Sequence, residues 1–170
     1  MNVKIKKLHE NAVTPKKATK GSAAYDLYVC EDVIIHPGRQ VVPLGFAIEM
    51  PENIEAKIEA RSGFSSKGME GYDLVGLNTI KTVDGLKSVK YVAMDPSRFD
   101  ADVITGKVDS DYRDSVGVII NSRHPFDFVV KAGTKIAQMT FYKVENADFE
   151  SVEELSETDR QGGFGSTGTK

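Results

Sequence analysis

The chain has one cysteine, Cys30, and three histidines, His9, His36 and His124, scattered without metal-ligand spacing. A lone cysteine excludes an internal disulfide and a cysteine-based zinc site, and it fits a reducing compartment. The histidines read as surface or loop residues rather than ligands. Blocks of like charge are also lacking: 22 Lys plus Arg stand against 25 Asp plus Glu, a formal charge of -3. The electrostatic footprint of a duplex nucleic-acid binder is therefore missing. No apolar run follows Lys4, Lys6 and Lys7, so neither a signal peptide nor a transmembrane segment is expected. These absences predict a cytoplasmic protein with no direct nucleic-acid or membrane partner. No long stretch of the body carries a helical 3.6-residue period either.

What is present is a series of short strand-like runs. At 170 residues the chain has the size of one domain with a small appendage. Val3 to Leu8 alternates as a half-buried strand does, Pro15 to Gly21 is a basic loop, and Ala23 to Val29 is the next strand. Asp26 interrupts that apolar run, so its carboxylate is either paired or functional. Strand-like pieces follow at Val33–Ile35, Gln40–Leu44, Phe46–Met50 and Ile54–Ala60, with Pro37-Gly38 marking a turn. Three more come at Val116–Ile120, Phe126–Val130 and Ile136–Val144. Many short strands with regular turn signals predict an all-β sandwich, jelly roll or barrel. The body runs over residues 1–145. Between Ile80 and Thr105 a mixed-charge stretch with a Val83-Asp84-Gly85 turn signal reads as an inserted hairpin. Residues 146–170 form an acidic linker and a glycine-rich arm with too little apolar content for a core.

Three stretches carry chemistry. Gly106-Lys107-Val108-Asp109-Ser110-Asp111-Tyr112-Arg113 gathers two carboxylates, a phenol and a guanidinium beside a glycine that lets a ligand approach the backbone. Alternation puts Asp109 and Tyr112 on opposite faces of a regular strand, so the run must turn if both serve one ligand. The competing reading is an edge hairpin kept soluble by its acids. Arg61-Ser62-Gly63-Phe64-Ser65-Ser66-Lys67-Gly68 suits a strand end feeding a short helical turn whose amides, with Arg61, can hold an anion; a plain polar loop fits it equally. Arg160-Gln161-Gly162-Gly163-Phe164-Gly165-Ser166-Thr167-Gly168 combines glycines and hydroxyls suited to wrapping phosphates with a ring, Phe164, suited to covering a flat base. Its likeness to a Walker loop fails, because the lysine does not directly follow the second glycine. The alternative there is a disordered Gly/Ser tail.

Taken in order, five stretches resemble the motifs of the homotrimeric dUTPases: Ala23-Ala24-Tyr25-Asp26-Leu27, Arg61-Ser62-Gly63, Val108 to Arg113, Gly133-Thr134-Lys135-Ile136-Ala137-Gln138-Met139, and Gly162 to Gly168. The resemblance covers nearly the whole chain. It implies an all-β jelly roll of the dUTPase type with a C-terminal arm and a small insertion, and a homotrimer in which each arm closes over a neighbour's site. The implied reaction is hydrolysis of dUTP to dUMP and pyrophosphate by water attack on the α-phosphorus, with Mg2+ on the phosphates. By the same resemblance Asp109 is the base and sugar contact, Tyr112 the ring that selects deoxyribose, and Gln138 a contact to the attacking water. Arg61, Ser62 and Gly63 meet phosphates, and the backbone around Asn78 and Gly106 reads uracil. Arg160, Gly163, Phe164, Gly165, Ser166 and Thr167 supply the closing arm. Asp26 is an outer-shell partner of the metal.

Three features depart from the family pattern. The separation of Arg61 from Asp109, 109 − 61 = 48 residues, exceeds the usual spacing, and the surplus resembles the extra segment of staphylococcal phage dUTPases. That likeness implies a phage protein working in the host cytoplasm and a second partner, a pathogenicity-island repressor. Gln161 alone separates Arg160 from Gly162 where two residues are usual, which puts contact of Arg160 with the γ-phosphate in doubt. Lys135 stands where Arg is common and loses the bidentate fork. A dCTP deaminase-like enzyme, similar in fold and pocket, and a nucleotide-gated regulatory binding protein are the alternative readings.

Overall fold

Alternating apolar residues need two layers to bury them, and in this chain antiparallel strands supply both. The computed structural model describes residues 1–82 and 85–159. Fourteen strands and one short helix, α1 (Ser62–Lys67), are present among these residues. β2 (Tyr25–Tyr28), β6 (Ile54–Glu59), β11 (Gly106–Val108) and β14 (Lys135–Lys143) form one sheet in the order β11-β6-β14-β2. β4 (Gly38–Pro43), β10 (Ala101–Ile104) and β12 (Gly117–Ser122) form a second, and β3 (Val33–Ile35) and β13 (Phe128–Val130) join a third with β7 (Met69–Thr82) and β8 (Gly85–Val92). β9 (Ser97–Phe99) pairs with the base of β7, and β1 (Lys4–Lys7) pairs with β5 (Phe46–Glu49). This is the expected all-β jelly roll.

The core follows from period-two patterning. Along β12, Val118, Ile120 and Ser122 point inward while Gly117, Ile119 and Asn121 are part-exposed. Phe46, Phe128, Leu27, Leu44, Ile35, Ile136 and Met139 are fully buried. Each such side chain contributes about 1.5–3 kcal/mol by leaving water. Phe99 stacks flat on Phe128 with centroids 4.1 Å apart, tying the base of the hairpin to the core.

Three boundaries differ from the sequence reading. All four residues of β1 are exposed, because the strand lies at an edge with only β5 beside it among the described residues. The turn at Pro37-Gly38 is shorter than expected: β4 begins at Gly38 rather than Gln40 and pairs with β12, while β3 pairs with β13. The inserted hairpin ends well before Thr105. Its ladder runs from Leu74 opposite Val92 to Thr82 opposite Gly85, whereas Phe99, Ala101 and Val103 are buried body residues. Mixed charge hid a core strand there, since its polar positions, such as Asp102, face solvent in alternation. Residues 145–159 have neither helix nor strand and expose Phe149 (98 %) and Leu155 (87 %).

Gly68 ends α1 with φ +82°, and a Cβ there would lie 2.6 Å from the Phe99 carbonyl oxygen. Both the left-handed backbone and the close approach demand glycine. We expect Gly68→Ala to lower unfolding free energy by about 1–3 kcal/mol, measured by urea denaturation; a loss near zero would show that the α1–β7 corner can shift freely.

Candidate functional site

The predicted site residues fall into two groups, and the pleat of the β11-β6-β14-β2 sheet decides which is which. Gln138 in β14 lies opposite both Asp26 in β2 and Glu59 in β6. The adjacent row is Gly106, Ile58, Met139 and Tyr25. Directly paired residues share a face and neighbouring rows take opposite faces. Asp26, Glu59 and Gln138 therefore lie on one side of the sheet, and Ile58 and Gly106 on the other.

On the first side, Asp26 is the organising group. Its side chain is only 10 % exposed, a costly place for a carboxylate without partners. Arg61 Nε donates to Oδ1 at 2.9 Å, and Lys135 Nζ lies 2.8 Å from Oδ2 as an ion pair. Lys135 reaches this carboxylate through a β-bulge. The register steps from Lys135 opposite Tyr28 to Ala137 opposite Leu27, which leaves Ile136 unpaired. Without that extra residue, alternation would send Lys135 to the other face. Hydrogen bonding and charge from Asp26 push the Lys135 ammonium above its ordinary pKa. Arg61 is thereby fixed at the start of α1, whose first amides have no side-chain cap. A cavity of about 490 Å³ is lined by Asp26, Arg61, Ser62, Gly63, Gln138 and neighbouring residues.

On the second side, the Gly106 to Arg113 run does turn. The Tyr112 amide donates to the Asp109 carbonyl at 3.2 Å, and the Tyr112 hydroxyl donates to the Ser115 carbonyl at 3.1 Å. Arg113 staples the turn by donating to the carbonyls of Ser110 (2.6 Å) and Tyr112 (2.9 Å). Asp109 and Tyr112 thus line one cavity of about 270 Å³ together with Gly106, Ile58, Ile104 and Ile119. A Cβ added at Gly106 would meet nothing within 4 Å, so the space beside it is open.

The chain brings Asp26, Arg61, Ser62, Gly63 and Gln138 together, and separately Gly106, Asp109 and Tyr112. The two cavities share no lining residue. Asn78 belongs to neither group. It pairs with Val89 in the β7–β8 ladder, in a different sheet from Gly106, so the hairpin that the resemblance implied around Asn78 and Gly106 is corrected: strand pairing carries Asn78 into the excursion. Arg160, Gly163, Phe164, Gly165, Ser166 and Thr167 lie outside the described residues. Sequence reading missed the Lys135 contact to Asp26, which only the bulge creates, and the apolar wall of Ile58, Ile104 and Ile119, whose residues looked like ordinary strand positions. Among the described residues no three His, Cys, Asp or Glu side chains are placed to hold a metal ion.

Against known proteins, a family model described as dUTPase matches residues 10–79 and 98–168 and skips most of the β7–β8 hairpin. A deoxyuridine 5'-triphosphate nucleotidohydrolase of Syntrophotalea carbinolica is 35 % identical over 172 aligned residues, covering 99 % of this chain and 97 % of that protein. Among solved structures, the dUTPase of Staphylococcus bacteriophage 80alpha with dUpNHpp is similar with a TM-score of 0.75, at 22 % identity, over 98 % of each chain. A mutant dUTPase of S. aureus phage phi11, described as coordinating a structural Mg(II) ion, has a TM-score of 0.68 at 20 % identity, over 91 % of this chain and 99 % of that one.

Removing the Asp26 charge strands Arg61 and Lys135 beside each other. We expect Asp26→Asn to cost about 1–3 kcal/mol, less than a fully buried pair because both cations are partly solvated. Lys135→Met, which leaves the Arg61 bond intact, should cost less than about 1 kcal/mol. Equal losses in chemical denaturation would mean that Lys135 alone carries the stabilisation and that the Arg61 bond adds nothing.

Proposed function

The chain belongs to the dUTPase family and is a hydrolase of dUTP, and from that premise we propose how its two half-sites share the reaction. The observation that carries the proposal is their separation on opposite faces of one sheet. A water held by the Gln138 amide must meet the Asp109 carboxylate, and one chain offers them in different cavities. The active site is therefore completed between copies; any closed ring gives every copy the same shared contact, and resemblance to the family makes that ring a homotrimer. In it the cavity of Asp109 and Tyr112 on one chain faces the Arg61, Ser62, Gly63 and Gln138 group of the next.

Uracil and deoxyribose enter the smaller cavity. Backbone groups at Gly106 read the base, and the Tyr112 ring, held by its bond to Ser115, occupies the space a ribose 2'-hydroxyl would need. The phosphates lie along Arg61 and the uncapped amides of Ser62 and Gly63. Asp109 accepts a proton as the water oxygen bonds to the α-phosphorus. The bond from that phosphorus to the α,β-bridging oxygen breaks, and its electrons leave with pyrophosphate. A positioned carboxylate base contributes roughly 10²- to 10⁴-fold. The residues 160–170 close over the site, Phe164 on the base and the glycine amides on the phosphates.

The donor set fits a metal that arrives on the substrate. Asp26 is committed to Arg61 and Lys135, and no protein cage exists among the described residues. Mg2+ prefers phosphate oxygens and water, so Asp26 would reach it only through water. When bound, it neutralises charge on the triphosphate. The β7–β8 hairpin lies off this chemistry. We assign it to the repressor partner implied by resemblance to the staphylococcal phage enzymes; the gap in the family match over 80–97 supports an added function there.

Asp109→Asn should lower turnover of dUTP at least about a hundredfold while substrate affinity stays within about tenfold. Gln138→Ala should also be impaired. Co-refolded in equal amounts, the two variants should regain about one quarter of wild-type sites by random assortment in a trimer. Pyrophosphate release that stays at the level of the separate variants would place both residues in one chain's site. Replacing residues 75–91 with an Asn-Gly turn between Leu74 and Val92 should keep hydrolysis within about threefold and abolish repressor binding in a pull-down. Loss of folding would make the hairpin part of the body.

A further inference from the structure

The phosphate half-site continues into a larger cavity of about 610 Å³, with which it shares Arg61 and Gly63. Its walls bring together cations from four places in the chain: Lys67 at the end of α1, Arg98 on β9, Lys131 before the turn into β14, and Lys135. Among the described residues Glu70 is the one carboxylate lining it. Arg98 is already engaged, donating to Glu70 at 2.9 Å and to the Gly68 carbonyl at 3.3 Å. Lys131 is held with its ammonium 3.9 Å from the centre of the Tyr72 ring, a contact that positions the charge without neutralising it. Lys67 has no hydrogen bond or ion pair among the described residues. Counting Arg61, Lys67, Arg98, Lys131 and Lys135 against Glu70 and Asp26 leaves 5 − 2 = 3 positive charges. The chain as a whole carries -3, so this concentration is local. A concave surface of one sign gathers counter-ions of the other.

We propose that Lys67 and Lys131 bind the terminal phosphate of the triphosphate and, after cleavage, hold the pyrophosphate product. The inference rests on the reading of Arg61 and Gly63 as phosphate contacts. A chain of phosphates running past these two residues leads from one cavity into the other, and the far end of it carries the most negative charge. Two ammonium groups with no carboxylate partner suit that end, since each bond from a cation to an anionic oxygen is among the stronger kinds. Lysines here act as point charges that need no fixed approach, which suits a group that must also leave. A concave pocket on an acidic chain offers no track for a nucleic-acid backbone. An acidic segment of another protein is the competing occupant.

The test uses the full-length protein and inorganic pyrophosphate. Calorimetric titration of wild type, Lys67→Gln/Lys131→Gln, Lys67→Arg/Lys131→Arg and the distant control Lys7→Gln should show weaker pyrophosphate binding in the glutamine variant alone, by about tenfold or more. Steady-state kinetics should show the same variant with KM for dUTP and the pyrophosphate inhibition constant raised by similar factors, and with dUTP losing part of its advantage over dUDP. The arginine variant should restore all three, which separates lost charge from lost folding. Pyrophosphate binding equal in wild type and the glutamine variant overturns the proposal, as does inhibition by an acidic peptide but not by pyrophosphate. If wild type binds pyrophosphate through these lysines yet fails to hydrolyse dUTP, the reaction assigned above falls while the anion site stands.

Discussion

The buried carboxylate of Asp26 is the constraint on which the rest of the site depends. Burial makes it demand two cations, and those cations come from distant parts of the chain: Arg61 from the end of β6 and Lys135 from the start of β14. Satisfying one carboxylate therefore fixes three segments at once. Arg61 precedes α1, so its anchoring also sets where the helix begins and where its free amides point. The β-bulge at Ile136 is the backbone distortion that makes the second contact geometrically available. A stability requirement and a binding geometry are here the same interaction.

That economy explains what the sequence made legible. Asp26 within an apolar strand already posed the choice between paired and functional, and pairing is the outcome on the page. Its partners were not legible, because Arg61 lies 35 residues away and Lys135 reaches it only through a one-residue register step. Turn chemistry at Asp109 to Tyr112 could be posed as a condition from alternation alone, and the bond from the Tyr112 amide to the Asp109 carbonyl meets it. Period-two patterning identified most strands, yet it could not say which strands pair. Hence the turn between β3 and β4 gave no sign that they belong to different sheets. The same limit put Ser97 to Ile104 in the excursion, although Phe99, Ala101 and Val103 belong to the core. Lys67, Arg98 and Lys131 carried no local signal, since nothing in a single segment says that three unremarkable surface cations converge.

Sheet geometry also gives a physical reason for a site shared between chains. In a β-sheet, residues from one row cannot reach the other face without a bulge or a turn. Gln138 and Gly106 stand in adjacent rows, so the Gln138 amide and the cavity of Gly106, Asp109 and Tyr112 are kept apart by the pleat itself. In the proposed assembly a second copy supplies the missing face without any distortion of the first. Such sharing couples catalysis to assembly, and it lets a small domain build a site wider than its own sheet.

The arm is the counterpart of that arrangement. Phe149 and Leu155 stand almost fully in water at 98 % and 87 % exposure, and Glu145, Asp148, Glu150, Glu153, Glu154, Glu157 and Asp159 have no cation among them between Lys143, which pairs with Glu145, and Arg160. A segment with isolated large apolar residues and one sign of charge gains little from its own body. It gains by lying on another surface that is apolar and basic. The exposed apolar residues of the acidic segment and the division of the site residues between two sheet faces are both what the proposed shared site requires.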